Sequence, residues 1–280
     1  MSLFSLMSLG VALAGELSPA VEVRGNLTGA RLGLLGNVRA GVKVPLWVNP
    51  ESALFADPYL LAQAEAFTSP AYVRLGGRVT FEPIAIFQLQ AYAFHTTYFG
   101  NFQTFIGFDD PLTSYGTNGD IEQYVLDNPG RQGKGSALSW GLQPTLKAKV
   151  GPVLVLLSSE LSHWGATSDI PGDYWYEREY ELLVGRRDFT LNNNGALLYE
   201  WDPSQDDGWK LRVGSLTNWR LALGETEDEV LRTGLMLTWI THDGKWTHTG
   251  LVMPYLRSEG YNQGPPFMGY VVRWALPTKK

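Results

Sequence analysis

The sequence predicts an all-β chain, an antiparallel transmembrane β-barrel of about ten strands. Three observations carry the expectation. Apolar and polar residues alternate with period two over most of the chain. The alternating runs are about 10–14 residues long, where an average soluble strand has about 5–6, and that length suits a tilted crossing of a bilayer. The connections between runs alternate between very short and long.

In chain order, the first element is an uncharged apolar run, Leu3 to Gly15, with Ala12-Leu13-Ala14 as a small-x-small pattern. It predicts a signal peptide over residues 1–14, cut after Ala14, although no Lys or Arg precedes the run. Strands are expected near 36–48, 59–82, 84–99, 135–150, 152–164, 188–202, 208–223, 230–241, 246–258 and 267–277. In the first, Val38, Ala40, Val42 and Val44 oppose Arg39, Gly41 and Lys43; in the last, Met268, Tyr270, Val272 and Trp274 oppose Gly269, Val271 and Arg273. Val21 to Leu35 also alternates in part and is a candidate further strand, and Tyr174 to Val184 is a candidate hairpin with a neighbour; together they would raise the count to twelve. The best helix candidate, Ala53 to Ala66, is interrupted by Pro58. Pro45, Pro144 and Pro254 lie inside proposed strands and imply bulges or strand ends there.

The short connections are Glu82-Pro83, Gly151-Pro152, Asp202 to Gly208 and His242 to Lys245. The long ones are Asn49 to Pro58, Gly100 to Lys134, Gly165 to Arg187, Gly224 to Glu229 and Glu259 to Pro266. Adjacent strands run antiparallel, so this alternation predicts tight turns at one end and long loops at the other.

Composition excludes several classes. With no cysteine there is no disulfide framework, thiolate metal site or Cys nucleophile. A net charge of −6 gives no support to nucleic-acid binding, and no apolar run is long enough for a helical membrane span.

Alternating spans, the turn asymmetry, Trp and Tyr near strand ends and the lack of Cys together resemble bacterial outer-membrane β-barrel proteins. The resemblance covers nearly all of the mature chain and points to no particular functional family. It implies a Gram-negative outer-membrane location within outer-membrane lipid, periplasmic tight turns and external long loops. It also implies a single barrel domain over 36–280, with 15–35 as a periplasmic extension or an extra strand. The chain departs from the pattern at its end, where six residues follow Trp274. A soluble barrel or sandwich with its apolar residues inward would show the same alternation.

If the apolar faces meet lipid, the lumen is lined by Arg39, Lys43, Arg74, Arg78, Gln88, Gln90, Lys147, Lys149, Lys210, Arg212, Arg220, Arg232 and Arg273, with Glu160, Asp188 and Glu200 as its few acids. The loops are acidic, carrying Asp109, Asp110, Asp120, Glu122, Asp127, Asp169, Asp173, Glu225, Glu227 and Glu229. Two readings follow. A basic wall makes a narrow path that prefers small anionic solutes, or the loop acids fold in, neutralise the wall and plug it. A barrel of this size has room for a small pore at most.

Catalysis finds little support. Ser162-His163 places the pair on opposite faces of a strand, His242-Asp243 sits in an Asp-Gly turn, and His95 stands near a strand end within reach of loop carboxylates; His248 completes the four histidines. Asp109, Asp110 and Asp120 match no calcium-loop spacing, and no cofactor motif is found. The expected function is a small or plugged permeability protein; the alternatives are a structural or surface-interaction barrel and a membrane-embedded lipid hydrolase.

Overall fold

A computed structural model describes residues 17–29, 33–203, 208–241, 244–258 and 266–276. The leader at 1–14 and the His242-Asp243 turn lie outside the described residues. The strands are β1 (Ser18–Thr28), β2 (Gly33–Pro45), β3 (Tyr59–Thr68), β4 (Tyr72–Ile84), β5 (Phe87–Tyr98), β6 (Ile106–Phe108), β7 (Gly135–Val150), β8 (Val153–Thr167), β9 (Tyr174–Glu177), β10 (Leu182–Gly185), β11 (Arg187–Trp201), β12 (Lys210–Ala222), β13 (Glu229–Ile240), β14 (Trp246–Met253), β15 (Tyr255–Ser258) and β16 (Phe267–Ala275). Helix α1 (Asn118–Asp127) lies between β6 and β7.

Every long strand pairs antiparallel with its neighbours, and β16 pairs with β1. The sheet is therefore a closed barrel. Counting β14 and β15 as one interrupted stave, the described wall has twelve staves. Closure satisfies the backbone donors and acceptors that an open sheet would leave along two edges.

Twelve staves replace the expected ten for two reasons. Residues 18–28, outside the expected barrel, form β1, paired with β2 along its whole length. The expected strand 59–82 is two strands, β3 and β4, reversed at Ser69-Pro70-Ala71. There the Ser69 hydroxyl accepts from the amides of Ala71 (3.2 Å) and Tyr72 (3.1 Å), so a three-residue turn is held by one side chain. The segment Tyr174 to Val184 does form a hairpin, but it belongs to a separate small sheet, β10-β9-β6, and adds nothing to the wall.

The extra reversal also changes the ends. The connection 46–58 lies at the end where β1 begins and β16 finishes, here called the terminus end, together with 85–86 and 151–152, so short and long connections are not fully segregated. At the opposite, loop end lie the two large insertions 99–134 and 168–186, the short turn after β3, and the few residues that link β1 to β2. The Glu82-Pro83 pair is not the turn between its strands: β4 continues through it to Ile84, with a register shift between Phe81 and Ile84. The candidate helix at 53–66 is loop and strand instead, because the 59–68 part alternates on a face shared with β2 and β4.

The prolines mark interruptions of the ladder. Pro45 ends β2, the β7–β8 pairing skips Gln143 and Pro144, and Pro254 separates β14 from β15. Close strand approach requires glycine at Gly76 and Gly214, where an added Cβ would lie 2.1 Å from the Ala93 carbonyl oxygen and 2.0 Å from that of Leu197.

The outward face is apolar: Leu34, Leu75, Leu146, Leu197, Val213 and Leu235 are all exposed there. Aromatic residues gather toward the rims. Trp201 and Trp209 meet edge to face and Trp239 stacks on His248 at the terminus end, while Trp140, His163 and Phe189 cluster toward the loop end.

Candidate functional site

The barrel interior is charged, and its charges are paired. Each of the eleven cations expected in the lumen stands within 4.0 Å of a carboxylate. Arg273 and Arg39 approach Glu22 at 2.5 and 3.3 Å. Arg39 also binds Glu65, which takes a second contact from Arg78 at 3.1 Å; Arg78 in turn donates to Gln90. The resulting belt crosses six staves, from β16 through β1 to β5. Lys147 meets Glu82 at 2.6 Å, beside Tyr59 and Gln88. Lys149 and Arg212 meet Glu200 at 2.6 and 2.7 Å, Lys210 meets Asp202 at 3.0 Å, and Lys43 meets Asp57 at 2.7 Å.

A lumen that is basic apart from Glu160, Asp188 and Glu200 is thus not what the strands build. Glu22, Glu65 and Glu82 escaped the sequence reading for traceable reasons: the first lies on an uncounted stave, the second in a span read as one strand instead of two, and the third in a supposed turn. Of the expected acids, Glu160 accepts from Tyr180 (2.8 Å), Ser162 (3.0 Å) and Tyr92, and Asp188 accepts from the amides of Gly185 (3.1 Å) and Phe189 (2.7 Å).

The two insertions at the loop end fold into the barrel mouth. Trp175 on β9 packs between Tyr98, Phe105 and Trp164 with ring centroids 4.8–6.0 Å apart. Helix α1 is held by a Thr117–Asp120 capping box; it buries Ile121, and its Tyr124 stacks on Phe108 at 4.8 Å. The main buried apolar cluster of the protein is this inserted mass together with the staves around it. Trp164, Thr96 and Thr190, inward on the loop-end half, are at most 1% exposed, whereas Leu156, inward near the other end, is 38% exposed. Among the described residues, the inserted segments fill the barrel at the loop end, while toward the other end the inward residues are a mixture of buried groups, such as Leu198 and Glu200, and the more exposed Leu156.

The hairpin carries its own acids. Glu177 accepts from Tyr98 (2.7 Å). Glu179 pairs with Arg74 (2.6 Å) and accepts from Tyr72 (3.2 Å). Glu181 pairs with Arg232 (2.9 Å), lies 3.8 Å from Arg220 and accepts from Tyr255 (2.9 Å). Its backbone is left-handed (φ 57°), a conformation non-glycine residues seldom adopt. Burial raises the Glu177 carboxyl to about 7 against the opposing pull of Arg74. Asp228, from the β12–β13 connection, accepts from Tyr115 (2.9 Å) and the Leu183 amide (2.8 Å).

The described histidines stand outside this site. His163 faces outward against Trp140, while Ser162 points inward to Tyr92 and Glu160. His95 is exposed on the outer face, on the opposite side from the loop carboxylates. Among the described residues no group of three His, Cys, Asp or Glu side chains is placed to hold a metal ion.

No family model matches the chain, and no curated protein matches it. Solved structures align with it over nearly its whole length. The beta domain of the Bordetella autotransporter BrkA aligns at 8% identity and TM-score 0.49, covering 93% of this chain and 99% of that one. The translocator domain of the autotransporter NalP from Neisseria meningitidis aligns at 11% and 0.44, covering 96% and 91%. The NanC porin aligns at 7% and 0.42, covering 93% and 100%. None of them carries its substrate, partner or activity over to this chain.

Proposed function

We propose that the chain is a Gram-negative outer-membrane β-barrel acting as a permeability protein whose lumen is closed at rest by its own hairpin, residues 174–185. An apolar outer face, long staves and an edge-free wall support placement in a bilayer, and the two large insertions then face the exterior. The observation that carries the gate is the set of contacts from Glu179 and Glu181 to Arg74, Arg220 and Arg232. Withdrawing the hairpin removes their counter-charges and leaves three guanidinium groups around the opening, a lining that favours small anionic solutes.

Planar-bilayer recording tests the gate. The intact protein is expected to be silent, and replacement of residues 173–186 by a short Gly-Ser linker is expected to give anion-selective steps. A linker variant that is folded yet silent would favour a second reading, a surface-interaction barrel, for which the exposed loop residues Phe99, Phe102, Leu112 and Leu126 speak. Outer-membrane fractionation and heat-modifiable mobility in detergent gels test the location.

A further inference from the structure

On the outer face, Ser159 of β8 stands directly opposite Asn193 of β11. Both are half-buried, and neither side chain has a hydrogen-bond partner among the described residues. Nearby, Thr217 and Thr233 satisfy each other at 2.8 Å. The unpartnered pair forms the floor of a concavity of about 610 Å³ whose walls include Pro144, Leu146, Leu157 and Trp219. On the other side of the barrel the corresponding outward residues of β3 to β5 are Ala62, Ala64, Gly77, Val79, Ala91 and Ala93, with no polar group. In hydrocarbon, a carboxamide and a hydroxyl without partners are costly, so the pair marks a place where something polar is met.

Its depth narrows the choice. Along β11, Asn193 is four residues from Phe189 of the loop-end aromatic cluster and eight from Trp201 at the other rim. On a tilted strand that is on the order of 10 Å below the loop-end cluster. The pair therefore sits in the loop-end leaflet, beneath headgroup level. Acyl chains are joined to headgroups by ester or amide linkages, which can accept from Asn193 and Ser159, and amide linkages or hydroxylated chains can also donate to them. The apolar walls suit the chain that continues below the linkage. A second copy of this barrel fits less well, because a concave face set against its symmetry mate leaves a void.

We propose that this concavity binds a membrane lipid of the loop-end leaflet, with Asn193 and Ser159 hydrogen-bonded to its acyl linkage and the chain lying along Leu157 and Leu146. This rests on the barrel being membrane-embedded, which heat-modifiable mobility and dependence on detergent check separately. The test is native mass spectrometry of the full protein in mild detergent, after incubation with palmitoyl-oleoyl phosphatidylethanolamine or with hexa-acyl lipid A. The intact protein is expected to retain a single lipid, and comparison of the two probes identifies which lipid class the site takes. The S159A/N193L double variant is expected to retain about tenfold less, a difference of about 1.4 kcal/mol. L157W, which fills the concavity and leaves the polar pair intact, is expected to lose the lipid as well. Equal retention by the intact protein and the folded variants, or no retention by any of them, overturns the proposal. A dimer that S159A/N193L dissociates also overturns it, in favour of a second copy.

Discussion

Glu181 and Arg232 meet at 2.9 Å inside the barrel, one side chain supplied by the inserted hairpin and the other by stave β13. Both are almost fully buried, so neither charge has water to fall back on. Removing one partner of such a pair strands the other, at a cost of about 3–5 kcal/mol. Glu181→Gln is expected to loosen the hairpin by an amount of that order, read as faster protease cleavage within 174–185 while the wall stays intact. Adding Arg232→Met is expected to recover part of the loss, and a double variant as labile as the single one would deny the coupling.

The Glu177 carboxyl holds its proton more tightly in the fold than in an unfolded chain, at about 7 against 4.5. A group raised in this way contributes stability that is present below about pH 4.5 and lost as pH rises through about 7. Protection factors of the hairpin amides, measured against the intrinsic exchange rate at each pH, are expected to fall between pH 5.5 and pH 8, and Glu177→Gln should flatten that fall. A hairpin better protected at pH 8 than at pH 5.5 would contradict this sign.

Gly76 is expected to tolerate no side chain. A Cβ there would stand 2.1 Å from the Ala93 carbonyl oxygen, which belongs to the neighbouring ladder and cannot move aside without breaking it. Gly76→Ala is expected to lower the thermal midpoint of the barrel by several degrees, whereas Gly25→Ala, with open space around the added carbon, should leave it unchanged.

Gly25 and Val272 face each other across the β1–β16 seam. In this cysteine-free chain, a G25C/V272C pair is expected to cross-link on mild oxidation of the folded protein and not of the unfolded one. Absence of the cross-link would deny the closure of the wall through β1 and β16.

Much of the wall was legible because a strand has only two faces. Once Arg39, Arg78 and Lys149 are set against their apolar neighbours, the sidedness of each stave follows. The stave count was not legible from that rule. The turn at Ser69-Pro70-Ala71 is short and flanked by residues that keep alternating, so two staves read as one, and Glu65 vanished from the interior with the error. The hairpin was readable as alternation, yet the pattern of Tyr174 to Val184 is the same whether its partners are wall staves or Ile106 to Phe108. Which surface it covers depends on long-range contacts such as Tyr98 to Glu177, and no local period encodes those.

The seam has a consequence for how the chain reaches this state. Glu22 and Arg273, joined at 2.5 Å, are separated by 251 positions, so the last stave to leave the ribosome is the one that meets the first. Until it arrives, the growing sheet carries two bare margins, each a template for pairing with another molecule. A chain lacking either β1 or β16 is expected to leave the other's edge at the seam unpaired.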